Sequence, residues 1–360
     1  MSRAPVLFRV DANPSQGYEQ LARCQVFAAA LQRRRRTAYF LSMLSPGSLA
    51  LPLKRGGNEY MEAEAPVGSK EDLQDTLREI RRLSPSAVVV DSPNAGEEYL
   101  RSLEKAAPLV VSLDHHAAHR FPSRLVINPL LGPGREEYSH GEKTQLLLGE
   151  RYALVRSEVR RLRQMRSQEP QGPFRVAVAL SEHDPLGQTA RVVQELLQCK
   201  GVEKVDVLAR AHHMGIDLLR EMAAEGGCGA GKLEVAVETN EVSQKLVRCH
   251  AAITCGSAWS LELACIGVPQ LLLVQDEAFW PTARRLEEEG AATCLGSMET
   301  INFQVFRKAV TDLLEDPMER QAMARYGRQL IDGRGPDRVI LALEVLLHPY
   351  RQILSLADAA

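Results

Sequence analysis

Residues 251–276 read AAITCGSAWSLELACIGVPQLLLVQD, a self-contained strand, turn, helix and strand. Ala251 to Thr254 is a short apolar run suited to a buried strand, and Cys255-Gly256-Ser257 is a turn of small residues. A helix follows, closed by Gly267 and Pro269, and Gln270 to Val274 returns as a second apolar strand. A turn that passes a strand into a helix presents unpaired backbone N–H groups and the positive end of the helix dipole, so it favours an anion. Glu262 lies about one and a half turns into that helix, within reach of groups beside such an anion. Amide donors for phosphates and a carboxylate for ribose hydroxyls suit a nucleoside diphosphate. The plain alternative is an ordinary βαβ turn that holds only water.

The same alternation extends outward in both directions. Upstream, Arg175–Leu180, Val205–Arg210 and Leu233–Glu238 read as strands, with helices over Thr189–Leu197 and around Gln244–Arg248. Downstream come a helix at Ala283–Glu289 and a charged helical tail from Phe303. A separate series opens the chain: strands at Val6–Asp11, Ala38–Ser42, Ala87–Asp91 and Leu109–Asp114. Its helices carry Leu21, Cys24, Phe27, Ala28 and Leu31 on one face, then run over Ser69–Leu83 and Glu97–Ala106. Ser69, with Asp72 three residues on, is a helix start signal. Residues 45–68 are expected to be irregular, and Tyr152–Met165 a strongly basic helix entering a Ser167–Pro173 linker.

Short apolar strands alternating with helices predict parallel sheets covered on both faces. The expected architecture is α/β: two Rossmann-like domains, 1–166 and 174–335, facing each other across a cleft, with a C-terminal helix and tail over 336–360. Parallel sheets of this kind take ligands at the carboxyl ends of their strands, where Asp11, Asp91 and Asp114 all fall.

A chain of 360 residues accommodates two cores, and 45% hydrophobic with 25% charged residues is ordinary for a globular protein. A net charge of −2 gives no electrostatic case for nucleic acid or an acidic membrane surface. The basic run Arg33–Arg36 is expected to end a helix as a solvated cap. Seven cysteines are scattered without metal-type spacing, which suits a reducing compartment and calls for no metal or other cofactor. With neither a signal segment nor a bilayer-length apolar run, the expectation is a cytoplasmic protein without stable membrane insertion. Oligomeric state is left open by the sequence.

Several segments together resemble the UDP-sugar hydrolase of the pseudaminic acid pathway and related spore-coat polysaccharide biosynthesis proteins, similar in architecture to GT-B glycosyltransferases. They are FRVDA at 8–12, LARC at 21–24, VVVD at 88–91, LGERYALVR at 148–156, the 251–276 stretch with Gly256, Glu262, Gly267 and Pro269, and LIDGRGPDRV at 330–339. The resemblance implies that UDP and its sugar bind with Gly256 and Ser257 near the phosphates and Glu262 at the ribose. It implies cleavage at the anomeric carbon with release of UDP, to water in a hydrolase or to a hydroxyl in a glycosyltransferase, in surface polysaccharide or nonulosonic-acid-type sugar biosynthesis. The partner is then a nucleotide-sugar small molecule.

Three departures from the pattern bear on activity. The hydrolase carries Gly-x-Gly-His before its Arg-Cys pair, and counting back from Arg23 and Cys24 puts Gln20 at the histidine position. An amide cannot take a proton, though it can position water. The Gly-Gly-Ser-Asp turn after the first strand of the second half is replaced by Ser181, Glu182, His183 and Asp184, which adds negative charge beside an expected diphosphate. The Asn-Gln pair after the 270–274 strand is missing from DEAFWPTARRL, where Trp280, Arg284 or Arg285 are the alternatives. The candidate set is therefore Asp11 and Gln20 for acceptor positioning, His115 as a substitute base, Gly256 and Ser257 for phosphate, and Glu262 for ribose. Arg156 and Arg160 are further candidates for phosphate, with pairing to helix carboxylates as the alternative.

Two other readings stand beside this one. A catalytically silent nucleotide-sugar-binding homologue would keep the scaffold after losing the histidine. Asp114-His115-His116, with His119 close behind, also matches the signature of metal-dependent DHH phosphoesterases, which demands a different fold and an early Asp-x-Asp where FRVDANPSQG supplies only Asp11. The pair His212-His213 reads as solvated loop.

Overall fold

The computed structural model describes residues 4–348, apart from 167, 182, 185, 211, 212 and 238, with no side-chain description at 239–241 and 243. Glu182, His212 and the tail beyond 348 lie outside the described residues. The chain forms two compact units, residues 1–154 with 334–360, and residues 155–333.

The first unit holds seven strands: β1 (Val6–Val10), β2 (Ala38–Ser42), β3 (Glu59–Glu62), β4 (Ala87–Asp91), β5 (Val110–Leu113), β6 (Leu125–Ile127) and β7 (Gln145–Leu147). All pair in parallel in the order β3-β2-β1-β4-β5-β6-β7. Helices α1 (Glu19–Gln32), α2 (Ala50–Arg55), α3 (Lys70–Leu83) and α4 (Glu97–Glu104) connect them. β1 shows why both sheet faces are covered. Val6, Phe8 and Val10 enter one apolar cluster while Leu7 enters the other. Phe8 stacks on Phe40 at 4.8 Å and meets Phe27 edge-on at 5.6 Å. The Ser69 hydroxyl caps α3 by accepting from the Asp72 amide at 3.1 Å, as the sequence signal implies.

The second unit holds β8 (Arg175–Ala179), β9 (Lys204–Leu208), β10 (Leu233–Ala236), β11 (Ala251–Thr254), β12 (Gln270–Val274) and β13 (Thr293–Ser297), again all parallel, in the order β10-β9-β8-β11-β12-β13. Its helices are α5 (Val159–Met165), α6 (Gln188–Leu197), α7 (Ile216–Ala223), α8 (Thr239–Arg248), α9 (Ala258–Ile266), α10 (Trp280–Glu288), α11 (Phe303–Glu315) and α12 (Pro317–Leu330). The last helix, α13 (Gly335–Leu347), belongs to the first unit. Each sheet reverses its winding once, between β1 and β4 and between β8 and β11. Loops diverge at such points and leave a crevice for ligands. Both sheets are Rossmann-like, as the alternating pattern predicts.

Several expectations need correcting. The division falls at Leu154–Val155 and again at Gly333–Arg334, so α5 lies in the second unit and α13 in the first. The basic helix starts at Val159 instead of Tyr152, because 153–156 run without helix. Residues 45–68 are not wholly irregular: they contain α2 and the edge strand β3, whose EYME is half exposed and lacks an apolar run. Arg33, Arg34 and Arg35 are exposed where α1 ends, as expected of a solvated cap, and only Arg36 departs from that expectation. Arg36 is buried and pairs with Glu344 on α13, and Arg33 pairs with Asp337 at the start of that helix.

The two motifs that looked most family-specific, LGERYALVR and LIDGRGPDRV, carry the crossings between the units. Gly335 lies so close to Ala153 that an added Cβ would sit 2.1 Å from the Ala153 carbonyl oxygen. Arg338 donates to the Arg151 carbonyl at 2.9 Å. Their special residues serve backbone packing where the chain leaves the first unit and returns.

Candidate functional site

At the first switch point, the strand-end aspartates are taken up by the protein itself. Arg9 is a fully buried arginine on β1, and its guanidinium binds Asp11 and Asp72 and donates to the Leu41 and Ala65 carbonyls. Asp11 also accepts the amides of Met43 and Val67, each at 2.8 Å, so it ties the loops after β2 and β3 to β1. Asp72 accepts from the Tyr99 hydroxyl at 2.7 Å and the Gly68 amide at 2.9 Å. A buried guanidinium between two carboxylates is stable only with this degree of hydrogen bonding. Asp11, expected to position an acceptor, is thus a loop tether.

Arg23 on α1 grips Asp91 at the end of β4 with both arms, Nε to Oδ2 at 2.6 Å and NH2 to Oδ1 at 2.5 Å. The Cys24 thiol lies 3.5 Å from the same carboxylate, and burial pushes that thiol up. Burial presses the Asp91 carboxyl upward as well, against the pull of Arg23. The third arm of Arg23 reaches His115 Nδ1 at 3.1 Å. His115 is buried, and burial together with the neighbouring Arg23 charge holds its imidazole well below the usual range. Its ring meets that of the exposed His116 at a tilt of 40°, centroids 4.0 Å apart. Asp114 shapes this loop: Oδ2 accepts the amides of His116 and Ala117 at 3.0 and 2.7 Å, an Asx turn that places Ala117 at φ 52°. Gln20 is half-buried in the first turn of α1. It stands three residues before Arg23, on the same helix face. Arg23 thereby joins the end of β4 to the imidazole of the β5 loop.

The phosphoesterase alternative finds no support in this geometry. Asp91 and Asp114 are engaged by Arg23 and by backbone amides, and no group of three or more His, Cys, Asp or Glu among the described residues is placed to hold a metal ion. His119 does not join the cluster; its Nε2 is buried without a partner and its ring lies on Phe121 at 4.3 Å.

The second switch point is built differently. Gly256 adopts φ +88°, and a Cβ there would meet the Phe279 carbonyl oxygen at 2.8 Å, so the turn admits only glycine without strain. Its amide donates to the Ser260 hydroxyl at 2.9 Å, which passes to Thr254 Oγ1 at 2.9 Å and on to Gln270 Oε1 at 3.0 Å. Gln270 closes the chain by donating to the Ser260 carbonyl at 3.0 Å. Gly256 therefore shapes the turn, and its N–H is already engaged. Ser257, the residue before α9, differs: it is 1% exposed, and its hydroxyl has no hydrogen-bond partner among the described residues. Of the leading amides of α9, that of Ser260 donates to the Ser257 carbonyl at 3.0 Å.

Glu262 is buried on α9, and both its oxygens are held by Arg156, from Nε at 2.9 and 3.0 Å and from NH2 at 2.6 Å. The Arg156 backbone amide adds a further bond at 3.1 Å, and its guanidinium lies over the Trp259 ring at 4.9 Å. Arg156 is thus a carboxylate clamp in this structure. Beside this turn, Asp184 caps α6 with both oxygens, accepting from Gln188 and Thr189 at 2.7 and 2.8 Å. The position where glycine-rich relatives expose bare backbone is closed here by a buried carboxylate. His213 is buried and bonded, with Nδ1 accepting from Gly215 at 3.0 Å and Nε2 3.4 Å from Thr189 Oγ1, contrary to a solvated loop. Trp280 is half-buried and lies 5.6 Å from the Arg284 guanidinium, while Arg285 pairs with Glu289.

Sequence reasoning missed the role of Arg23, which served only as a landmark, and the hydroxyl chain through Ser260, Thr254 and Gln270. Polar residues inside an otherwise apolar run were the available signal for that chain. Nothing local marked Arg23, whose partners lie 68 and 92 residues away.

No protein-family model matches the chain. The spore coat polysaccharide biosynthesis protein SpsG of Bacillus subtilis (strain 168) is 24% identical over 277 residues, covering 75% of this chain and 79% of that protein. Aclacinomycin-T 2-deoxy-L-fucose transferase of Streptomyces galilaeus is 29% identical over 121 residues, 32% of this chain and 27% of the transferase. Among solved structures, MurG of Acinetobacter baumannii superposes with a TM-score of 0.64 at 14% identity, covering 94% of this chain and 99% of MurG. Spinosyn forosaminyltransferase SpnP reaches 0.65 at 16% identity, covering 96% of this chain and all of SpnP at 100%. The fold is of the GT-B glycosyltransferase kind, and in sequence the chain is related to the spore-coat protein SpsG.

Proposed function

We propose that this protein binds a nucleoside-diphosphate sugar, UDP-linked in the first instance, and cleaves its anomeric bond with release of the nucleotide. The work is done in surface polysaccharide or nonulosonic-acid-type sugar assembly. The observation that carries this reading is Ser257: a buried hydroxyl without a partner, at the N-terminus of a helix that opens from the switch point of a parallel sheet. An unpaired buried hydroxyl costs about 1–3 kcal/mol, so its retention is explained by a ligand that bonds it. A diphosphate supplies the acceptor oxygens and the charge that the helix dipole favours. Glu262 is committed to Arg156, so the pair, and not the carboxylate alone, would border the ribose. The nearby Asp184 carboxylate leaves α9 as the preferred anchor over α6.

The fold likeness to glycosyltransferases supports transfer to a hydroxyl acceptor over hydrolysis, and the SpsG relationship supports a polysaccharide context. Calorimetry with UDP, dTDP and CDP, followed by turnover of the matching nucleotide sugars with and without acceptor extracts, tests the proposal. Binding of one nucleoside diphosphate with release from its sugar conjugate is expected. Failure of all three to bind overturns it. Binding without release favours the silent homologue, for which Gln20 in place of the family histidine is the specific support.

A further inference from the structure

Helix α12 carries a pair of residues at every fourth step: Arg320-Gln321, Ala324-Arg325 and Arg328-Gln329. That spacing stacks the pairs on one face of the helix. The face, the end of α5 and the turn after α9 border a cavity of about 900 Å³, whose lining lies wholly within the second unit. Five arginines line it: Arg163, Arg166, Arg320, Arg325 and Arg328. Two carboxylates, Glu169 and Asp332, stand with them, and Glu169 pairs with Arg320. Arg163, Arg166 and Arg328 bond main-chain carbonyls instead. Arg163 NH1 donates to Arg328 and Ile331 at 2.7 and 2.9 Å, and Arg166 NH1 to Val247 and Cys249 at 3.0 and 2.6 Å. Arg166 Nε reaches Gly267 at 3.1 Å, and Arg328 NH1 reaches Arg166 at 2.7 Å.

These bonds cap helix ends, yet capping accounts for only part of the charge. A helix carboxyl end carries about half a negative charge, so the ends of α5, α8, α9 and α12 with two carboxylates still leave five guanidiniums in excess. Arg166 and Arg320 are 5% and 6% exposed, so water does little to relieve them. Burial presses the Arg166 and Arg328 guanidiniums below their ordinary value, and the charge of Arg163 adds to the pressure on Arg328. The NH2 groups of Arg166 and Arg328 have no partner among the described residues. Gln168, Gln171, Gln321 and Gln329 bring amides to the same cavity, and no aromatic ring among the described residues lines it.

We infer that this cavity binds a small phosphorylated sugar, with its phosphate on the guanidiniums and its hydroxyls on the glutamine amides. Guanidinium forks match phosphate oxygens, and an amide both donates to and accepts from a hydroxyl. The volume is that of a small-molecule site. A nucleotide is the poorer fit, because its base would find no ring to stack on. A long polyanion is disfavoured by the net charge of −2. The site does not rest on the function proposed above: Ser257 precedes α9, whereas this cavity borders the turn past the other end of that helix.

Calorimetry on the full-length protein tests the site with glucose 1-phosphate, glucose 6-phosphate and N-acetylglucosamine 1-phosphate, beside inorganic phosphate and glucose. Saturable binding of at least one sugar phosphate is expected, about tenfold or more tighter than inorganic phosphate, with none for glucose. Arg325 is exposed and its guanidinium lies over the Tyr326 ring at 4.9 Å, so Arg325→Gln is expected to keep the wild-type Tm while affinity falls about tenfold. Gln329→Ala, also at an exposed position, is expected to weaken the sugar phosphate and leave inorganic phosphate unchanged. Ser257→Ala is expected to change none of these affinities. Failure of all three sugar phosphates to bind overturns the site, as does binding that survives both Arg325→Gln and Gln329→Ala. Loss of binding in Ser257→Ala places the phosphate at the start of α9 and overturns it equally. Equal affinity for inorganic phosphate and every sugar phosphate defeats the sugar assignment.

Discussion

The two switch points have the same topology and opposite polar economies. At the first, between β1 and β4, a charged network is complete in itself: Arg9 with Asp11 and Asp72, Arg23 with Asp91 and His115. At the second, between β8 and β11, the turn is braced by neutral hydroxyls and an amide, and one hydroxyl, Ser257, is left unpaired. A complete network fixes geometry and resists change. An incomplete one carries the cost of a buried polar group without a partner. The contrast teaches that two sheets of one topology brace their switch points by different means, ion pairs in one and neutral hydroxyls in the other.

The sharpest way to break the contrast is at Arg23. Arg23→Ala leaves Asp91, 1% exposed, as an uncompensated buried carboxylate and is expected to lower unfolding free energy by about 3–5 kcal/mol, read by urea titration. A loss below about 1 kcal/mol would mean that the pair is not desolvated as described. Gly256→Ala comes next, expected to cost about 1–3 kcal/mol from positive φ and the clash with the Phe279 carbonyl.

Ser257→Ala separates the two sites most directly. Its hydroxyl has no partner, so stability is expected to stay within about 0.5 kcal/mol of wild type or to rise slightly, while nucleoside-diphosphate affinity falls about tenfold. Marked destabilisation with unchanged affinity would make Ser257 a structural residue and remove the principal support for the nucleotide site.

The smallest effect concerns pH. Burial and Arg23 hold His115 below its unfolded value of 6.5, so the unfolded chain binds a proton that the folded chain refuses. Its contribution is fully present above pH 6.5 and declines as pH falls below that value. Urea midpoints measured down the acid side should therefore drop less in His115→Gln than in wild type. Equal slopes would show that His115 takes up a proton as readily folded as unfolded.

Much of the fold was legible because it rests on local pattern. The apolar runs at 38–42, 87–91, 251–254 and 270–274 match β2, β4, β11 and β12 residue for residue, since buried parallel strands need unbroken apolar stretches. β3, β6, β7 and β13 escaped notice for the complementary reason. An edge strand is half exposed, and three-residue strands such as β6 and β7 are too short to show a period. The Ser69 cap was readable from its own three residues. The placement of α13 in the first unit was not, because the pairing of Arg36 with Glu344 spans 308 residues.

What the sequence by itself determined was the alternation of the longer apolar strands with helices, the glycine turn at 256 and the polar groups gathered near strand ends, because each depends on neighbours a few residues away. Only the tertiary structure decided which of those polar groups remain available. Asp11, Asp91, Asp114 and Glu262 look alike as carboxylates in a string of letters, and each is engaged by a different partner: Arg9, Arg23, backbone amides and Arg156. Hydrogen bonds act over about 3 Å in space with no regard for separation along the chain, so the difference between a tether and a ligand contact exists only once the chain has folded.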